Sequence, residues 1–140
     1  MNNDRGPILA FMEDLHEAIT GLNDDGDLLL LGVDWNEDVR APETTAFFQK
    51  LGMREVLLER HGDDAPKTYA DRSYPIDGIF ASYSLDIEVG GYLAFGNIAE
   101  TDHRGLWVDI CKGSFCGSWT TIARAPARRI ITGNPRVEKK

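Results

Sequence analysis

The stretch Leu28-Leu29-Leu30-Leu31-Gly32-Val33-Asp34-Trp35-Asn36-Glu37 constrains this chain more than any other. A run of apolar residues stops abruptly at residues that favour turns. Four consecutive leucines bounded in this way predict a short strand over Leu28–Val33, buried on both faces. Strands of that kind belong to parallel or mixed sheets covered by helices, and the carboxyl ends of such strands are where open α/β folds place their sites. Asp34 and Asn36 stand at that end. On a continuing strand their side chains point the same way.

The chain has 140 residues, enough for one domain with a core and too few for two. No stretch approaches the roughly 20 apolar residues of a membrane span. The opening Met1-Asn2-Asn3-Asp4-Arg5-Gly6-Pro7 lacks the basic and apolar regions of a signal peptide. The expected address is therefore intracellular, cytoplasm or nucleus, not secreted, with no membrane partner. Cys111 and Cys116 are too few for a disulfide scaffold and lack the further Cys or His pair of a zinc site. They read as plain thiols.

Charge is spread unevenly. Residues 1–110 hold 8 Lys/Arg against 22 Asp/Glu, a net of −14, while residues 111–140 hold 7 Lys/Arg and one acid, a net of +6. An acidic body does not attract a polyanion through its bulk field. Contact with nucleic acid would need a metal ion or the basic end of the chain.

The spacing of Ile8, Met12, Leu15, Ile19 and Leu22 predicts a helix from Pro7 to about Leu22, with Pro7 suited to its first position. His16 lies beside that stripe and takes no role. Asn23-Asp24-Asp25-Gly26-Asp27 is a turn by composition and lacks the spaced ligands of a calcium loop. Asp34, Asn36 and Asp38 match the first three positions of an EF-hand loop, but Val39 and Thr45 stand where Gly and Glu are required, which rejects that motif. A second helix is predicted from about Glu43 to Leu51, ending at Gly52. Met53–Arg60 reads as another short helix or turn. Strands are then predicted over Ile76–Ser82, Leu85–Val89 (closed by Gly90-Gly91) and Leu106–Ile110. From Cys111 onward the pattern dissolves into Gly, Ser, Pro, Arg and Lys, a basic linker or tail over 111–140.

Three polar clusters thus stand at strand ends: Asp34 with Asn36, Asp77, and Asp102 with His103. Singly each is weak, because an Asp at a strand end is most often a turn former. Together they supply carboxylate, amide and imidazole, the groups that metal-assisted phosphoester hydrolysis uses. One acid activates a water, an amide holds a phosphoryl oxygen, and a His paired to a second acid stabilises the developing negative charge.

In this order the clusters resemble the endonuclease/exonuclease/phosphatase superfamily, which includes deoxyribonuclease I-like nucleases. Leu31-Gly32-Val33-Asp34-Trp35-Asn36-Glu37 is similar to its strand ending in Gly-Asp-aromatic-Asn. Pro75-Ile76-Asp77-Gly78-Ile79-Phe80-Ala81-Ser82 resembles its Arg-Ile-Asp-Tyr-Ile-Phe-Val-Ser strand, and Thr101-Asp102-His103-Arg104 its closing Ser-Asp-His. Thr68-Tyr69 also fits. Arg72–Phe80 and Asp102–Trp107 look closest to the endonuclease region of retrotransposon polyproteins, in which a reverse transcriptase often follows. The segment Ala127-Arg128-Arg129-Ile130 looks like the connector to such a module.

The resemblance covers residues 8–110 and implies an α/β (α+β) fold, half of a four-layer α/β sandwich with a mixed β-sheet and flanking helices. It implies a domain over 1–110 and the tail over 111–140. It implies Asp34 as the group that activates the attacking water, Asn36 as a contact to the scissile phosphate, His103 as the stabiliser of the transition state, and Asp77 as the residue that orients it. It implies Asp102 beside the metal, Mg2+ or Mn2+, and DNA as a partner. Val33 stands where the family carries Gly. The family's metal-binding Glu belongs to a first half that this sequence does not match. The chain is therefore expected to be weak or inactive alone, and to self-associate or bind a partner chain over the face that the other half would cover. Two readings stand beside this one: a non-catalytic binding half-domain, and a phosphatase acting on small phosphorylated molecules.

Overall fold

Helix α1 (Pro7–Asp24) carries Pro in its first turn and its apolar stripe along one side, with Ile19 buried against the sheet. The computed structural model describes residues 6–97 and 100–116. Strand β1 (Leu30–Asp34) follows, then helix α2 (Pro42–Lys50), which has Glu43 in its first turn and Lys50 in its last, both favourable to the helix dipole. Gly52 ends α2 in the left-handed region, at φ 73°, with its N–H on the Gln49 carbonyl. Strand β2 (Met53–Glu55), the short helix α3 (Leu58–His61) with a 3-10 turn after it (Gly62–Asp64), strands β3 (Asp77–Ser82), β4 (Ile87–Tyr92) and β5 (Leu106–Ile110), and the short helix α4 (Lys112–Cys116) complete the described fold. The class is α+β, as expected.

Strands β1, β3 and β2 form one sheet in that order, and β4 pairs with β5 in another. Every described pairing is antiparallel, where a mixed sheet was expected. The sheets make two of three layers. Phe80 of β3 packs with Phe48 of α2, Ile19 of α1 and Met53, its ring 3.6 Å from that of Phe48. Ile79 and Ala81, on the opposite face of β3, pack with Leu57 and Leu85, against which Ile87, Leu106 and Val108 of the second sheet lie. The strand buried on both faces is therefore β3. Strand β1 corrects the expectation for Leu28–Val33: it is an edge strand that alternates between exposed and half-buried residues. Leu31 and Val33 face the helices, while Leu28 and Leu30 remain 45% and 40% exposed.

Three other expectations change. Met53–Arg60 is not one helix or turn: its first three residues are β2, a strand too short to show a period. Gly90 and Gly91 do not close a strand but lie inside β4. A Cβ at Gly90 would sit 2.8 Å from Leu57 Cδ2 and 3.0 Å from the Trp107 carbonyl oxygen, so the bare backbone is what lets the second sheet approach. Residues after Cys111 do not all lose structure, since α4 follows β5. The rest of the expected tail, 117–140, lies outside the described residues.

Candidate functional site

Strand pairing brings the first two carboxylates together. Asp34 and Asp77 are register partners at the ends of β1 and β3. The next pair outward, Trp35 and Ile76, is hydrogen-bonded, the Trp35 N–H reaching the Ile76 carbonyl at 2.8 Å. Hydrogen-bonded and non-bonded pairs alternate, so Asp34 and Asp77 form a non-bonded pair, the closer kind, with side chains on one face. Two like charges placed in this way repel. A positive charge beside them would relieve the repulsion, and His103 is the group placed to carry one.

His103 arrives from the segment before β5. Its backbone is fixed by an isolated antiparallel bridge to Tyr69. The Ala70 N–H donates to the Asp102 carbonyl at 2.9 Å, and the Arg104 N–H donates to the Thr68 carbonyl at 2.6 Å. The imidazole Nδ1 then lies 3.0 and 3.1 Å from the two carboxylate oxygens of Asp77. One carboxylate oxygen from each of Asp34 and Asp77 and a ring nitrogen of His103 lie within 4.8 Å of one another. The Tyr69 ring packs at 4.9 Å from that of His103. Partial burial works against charging the His103 ring, but the Asp77 hydrogen bond and the charges of Asp77, Asp34 and Asp102 outweigh it and raise its pKa above the ordinary value.

Thr68 ties this arrangement to the core. It is fully buried, and its Oγ1 accepts both the Ile76 and Asp77 N–H groups at 2.9 Å. One residue thus holds the first turn of β3 with its hydroxyl and the His103 segment with its carbonyl. Its place beside Tyr69 in the sequence pattern does not disclose this double role. The only local signal is a threonine between residues that would otherwise form an unanchored loop.

The other expected site residues separate. Asn36 adopts the left-handed region at φ 61°, which Asn tolerates better than most residues, and its N–H donates to Asp34 Oδ1 at 3.1 Å. It turns the chain immediately after Asp34 and lines a cavity with Asp34, Trp35 and Glu37. Asp102, expected beside a metal, lies outside the three-residue group. It is exposed, and its charge, with that of Asp71, raises the pKa of the Tyr69 hydroxyl. Glu55, which the sequence pattern did not single out, is a buried carboxylate opposite Phe80 in the β2–β3 pairing; its Oε1 accepts the Ile79 N–H, and it lies outside the Asp34, Asp77 and His103 group.

No family model matches this chain, and neither a curated protein nor a solved structure matches it. Among the described residues no helix is long and apolar enough to cross a membrane.

The pairing makes a direct prediction. Asp77→Asn removes the charge and the hydrogen bond that raise the His103 pKa, so the ring's titration, followed by NMR, is expected to move down toward the ordinary value. A titration midpoint unchanged in Asp77→Asn would contradict this account. The sign for stability follows from the raised folded-state pKa. The stabilisation is fully present below about pH 6.5 and is lost as pH rises through the raised value.

Proposed function

We propose that this chain is the C-terminal half of a metal-dependent phosphodiesterase domain of the endonuclease/exonuclease/phosphatase type, closest to the endonuclease region of retrotransposon polyproteins, with DNA as its ancestral substrate. The observation that carries the reading is the convergence of Asp34, Asp77 and His103 at adjacent strand ends.

The donor set fits Mg2+ or Mn2+. Hard carboxylate oxygens suit these ions, and two opposed carboxylates leave negative charge to neutralise. His103 is a poor ligand here, because Nδ1 is committed to Asp77 and the raised pKa favours the protonated ring. Asp34 would therefore hold the ion, with Asp102 the further carboxylate that the family resemblance assigns. Such an ion supplies positive charge that polarises the phosphoryl group and acidifies water. Asp34 accepts the proton of the attacking water as its oxygen bonds to phosphorus. Asn36 holds a phosphoryl oxygen. His103, oriented by Asp77, donates from its other nitrogen to the charge that grows as the ester P–O bond breaks.

In this reading the metal-binding Glu belongs to the other half of the domain. Nicking of supercoiled plasmid with Mg2+ or Mn2+ by the chain alone is expected to stay near background. Robust nicking that disappears in Asp34→Ala and His103→Ala would contradict the expected inactivity and place a complete site in these residues. Parallel incubation with inositol phosphates separates a phosphatase from a nuclease by its products.

A second reading, a binding half-domain, is favoured by the open edge of β1 and the exposed Leu28 and Leu30 beside it. Light scattering that shows only a monomer at all concentrations would contradict it.

A further inference from the structure

A cavity of about 610 Å³ opens on the other side of Asp34, between the first turns of α1 and α2. Phe11, Met12 and Trp35 give it an apolar wall, and Asp34, Glu37 and Glu43 line it with carboxylates. Among the described residues no Lys or Arg lines it. The Trp35 indole N–H is already taken by Thr44 Oγ1 at 3.0 Å. Carboxylates beside aromatic rings, with no cation among them, suit a guanidinium carried on an apolar body. Such a group pairs bidentately with a carboxylate and stacks on an aromatic face. A phosphate would meet three like charges there.

The chain itself holds such a group. Arg128-Arg129-Ile130-Ile131 joins two guanidinium groups to two apolar side chains, within a C-terminal stretch of net +6 set against a body of net −14. We propose that this segment docks in the cavity through Arg128 or Arg129.

Reach decides whether the pairing is feasible. Helix α4 is tied to the turn before β4, through Asp86 N–H to Ser114 Oγ and Cys111 N–H to the Asp86 carbonyl. That turn lies past the Ser82 end of β3, the end away from Asp77. The segment must therefore travel the length of β3, six residues or about 20 Å, and then cross to the cavity. The chain from Gly117 to Arg128 spans up to about 40 Å when extended, which suffices. Tethering of this kind raises the effective concentration to the millimolar range, so a weak pairing is populated within one molecule. It is salt-sensitive, because the partners are charges on a partly open surface.

The test uses the full chain with Cys111 and Cys116 replaced by Ser and a nitroxide on Gly133→Cys. The expected result is broadening of the Phe11, Trp35 and Glu43 amide resonances that does not change with protein concentration and fades at high salt. It is also expected to be lost in Arg128→Ala/Arg129→Ala and in Glu37→Gln/Glu43→Gln. Absence of broadening at these residues would overturn the proposal. So would broadening that persists in the arginine variant, or that grows with protein concentration and so reports a second copy. Arg128 and Arg129 lie outside the described fold, and Glu37 and Glu43 sit at its surface, so the unlabelled spectrum shows that each variant is folded.

Discussion

Thr68→Val is expected to cost about 2–5 kcal/mol of stability and to loosen the His103 pairing with it. Valine keeps the shape of threonine but not its oxygen. Two N–H groups would lose their acceptor, that of Ile76 in a buried place and that of Asp77 in a partly buried one. An orphaned buried donor costs about 1–3 kcal/mol, and this change orphans one buried donor and one partly buried donor, which costs somewhat less. For a fold of this size that lowers the melting temperature by about 5–20 °C. The loss is local to the strand end that presents Asp77, so the His103 titration should broaden or fall in the same variant. Thr68→Ser keeps the oxygen and is expected to retain most of both properties. A Thr68→Val protein within about 0.5 kcal/mol of the parent in urea unfolding would contradict this account, since that is the ordinary range of an uncoupled surface change.

The second large effect is a pH dependence that the candidate site does not supply. Burial pushes the Glu55 carboxyl from 4.5 up to about 7, against the backbone N–H groups of Ile79, Leu58 and Leu57, which favour the charged form, while the charge of Glu59 adds to the rise. The folded protein therefore binds this proton more tightly than the unfolded chain does. The sign follows: the stabilisation is fully present below about pH 4.5 and is lost as pH rises through about 7. At about 1.4 kcal/mol for each pKa unit, the loss is on the order of 3 kcal/mol. His103 adds to the slope in the same direction at higher pH. Burial likewise raises the pKa of the Tyr92 hydroxyl, and the charge of Glu55 reinforces the rise. Urea midpoints measured across this range should fall as pH rises. Glu55→Gln should flatten the part below about pH 7 and leave the His103 part in place. A midpoint that rises across this range in the parent would contradict the assignment.

The sequence exposes some of these features and hides others, for physical reasons. Helices α1 and α2 are legible because each has an apolar stripe at helical spacing, with Pro7 at the start of α1 and Gly52 at the end of α2; Pro42, read as loop, is the first residue of α2. Strands β3 and β5 were legible from short apolar runs between turn residues. Strand β2 was not, because three residues show no period and Met53–Arg60 can satisfy either pattern. The four leucines suggested a fully buried strand, yet apolar content alone does not report which face is covered, and β1 lies at an edge. Gly90-Gly91 looked like a terminator because glycine is rare inside strands. Here the absent Cβ is what brings β4 close to Leu57 and Trp107. Asp34, Asp77 and His103 could be singled out as strand-end groups, but their closeness depends on the β1–β3 register and on the Tyr69–His103 bridge. Neither leaves a mark on local spacing. The same holds for Thr68 and Glu55, whose importance comes from partners 8 and 24 residues away.

We propose that Asp34 holds a divalent metal beside the Asp77–His103 pair and that this site works on phosphate esters. An Mn2+ titration followed by NMR on the full chain and on Asp34→Asn is the direct test. The resonances of Asp34, Asn36, Asp77 and His103 are expected to broaden first in the parent, and Asp34→Asn is expected to remove this broadening. Metal binding at Asp34 would be contradicted if those resonances stayed sharp while the acidic turn at Asn23–Asp27 broadened, or if Asp34→Asn left the broadening unchanged.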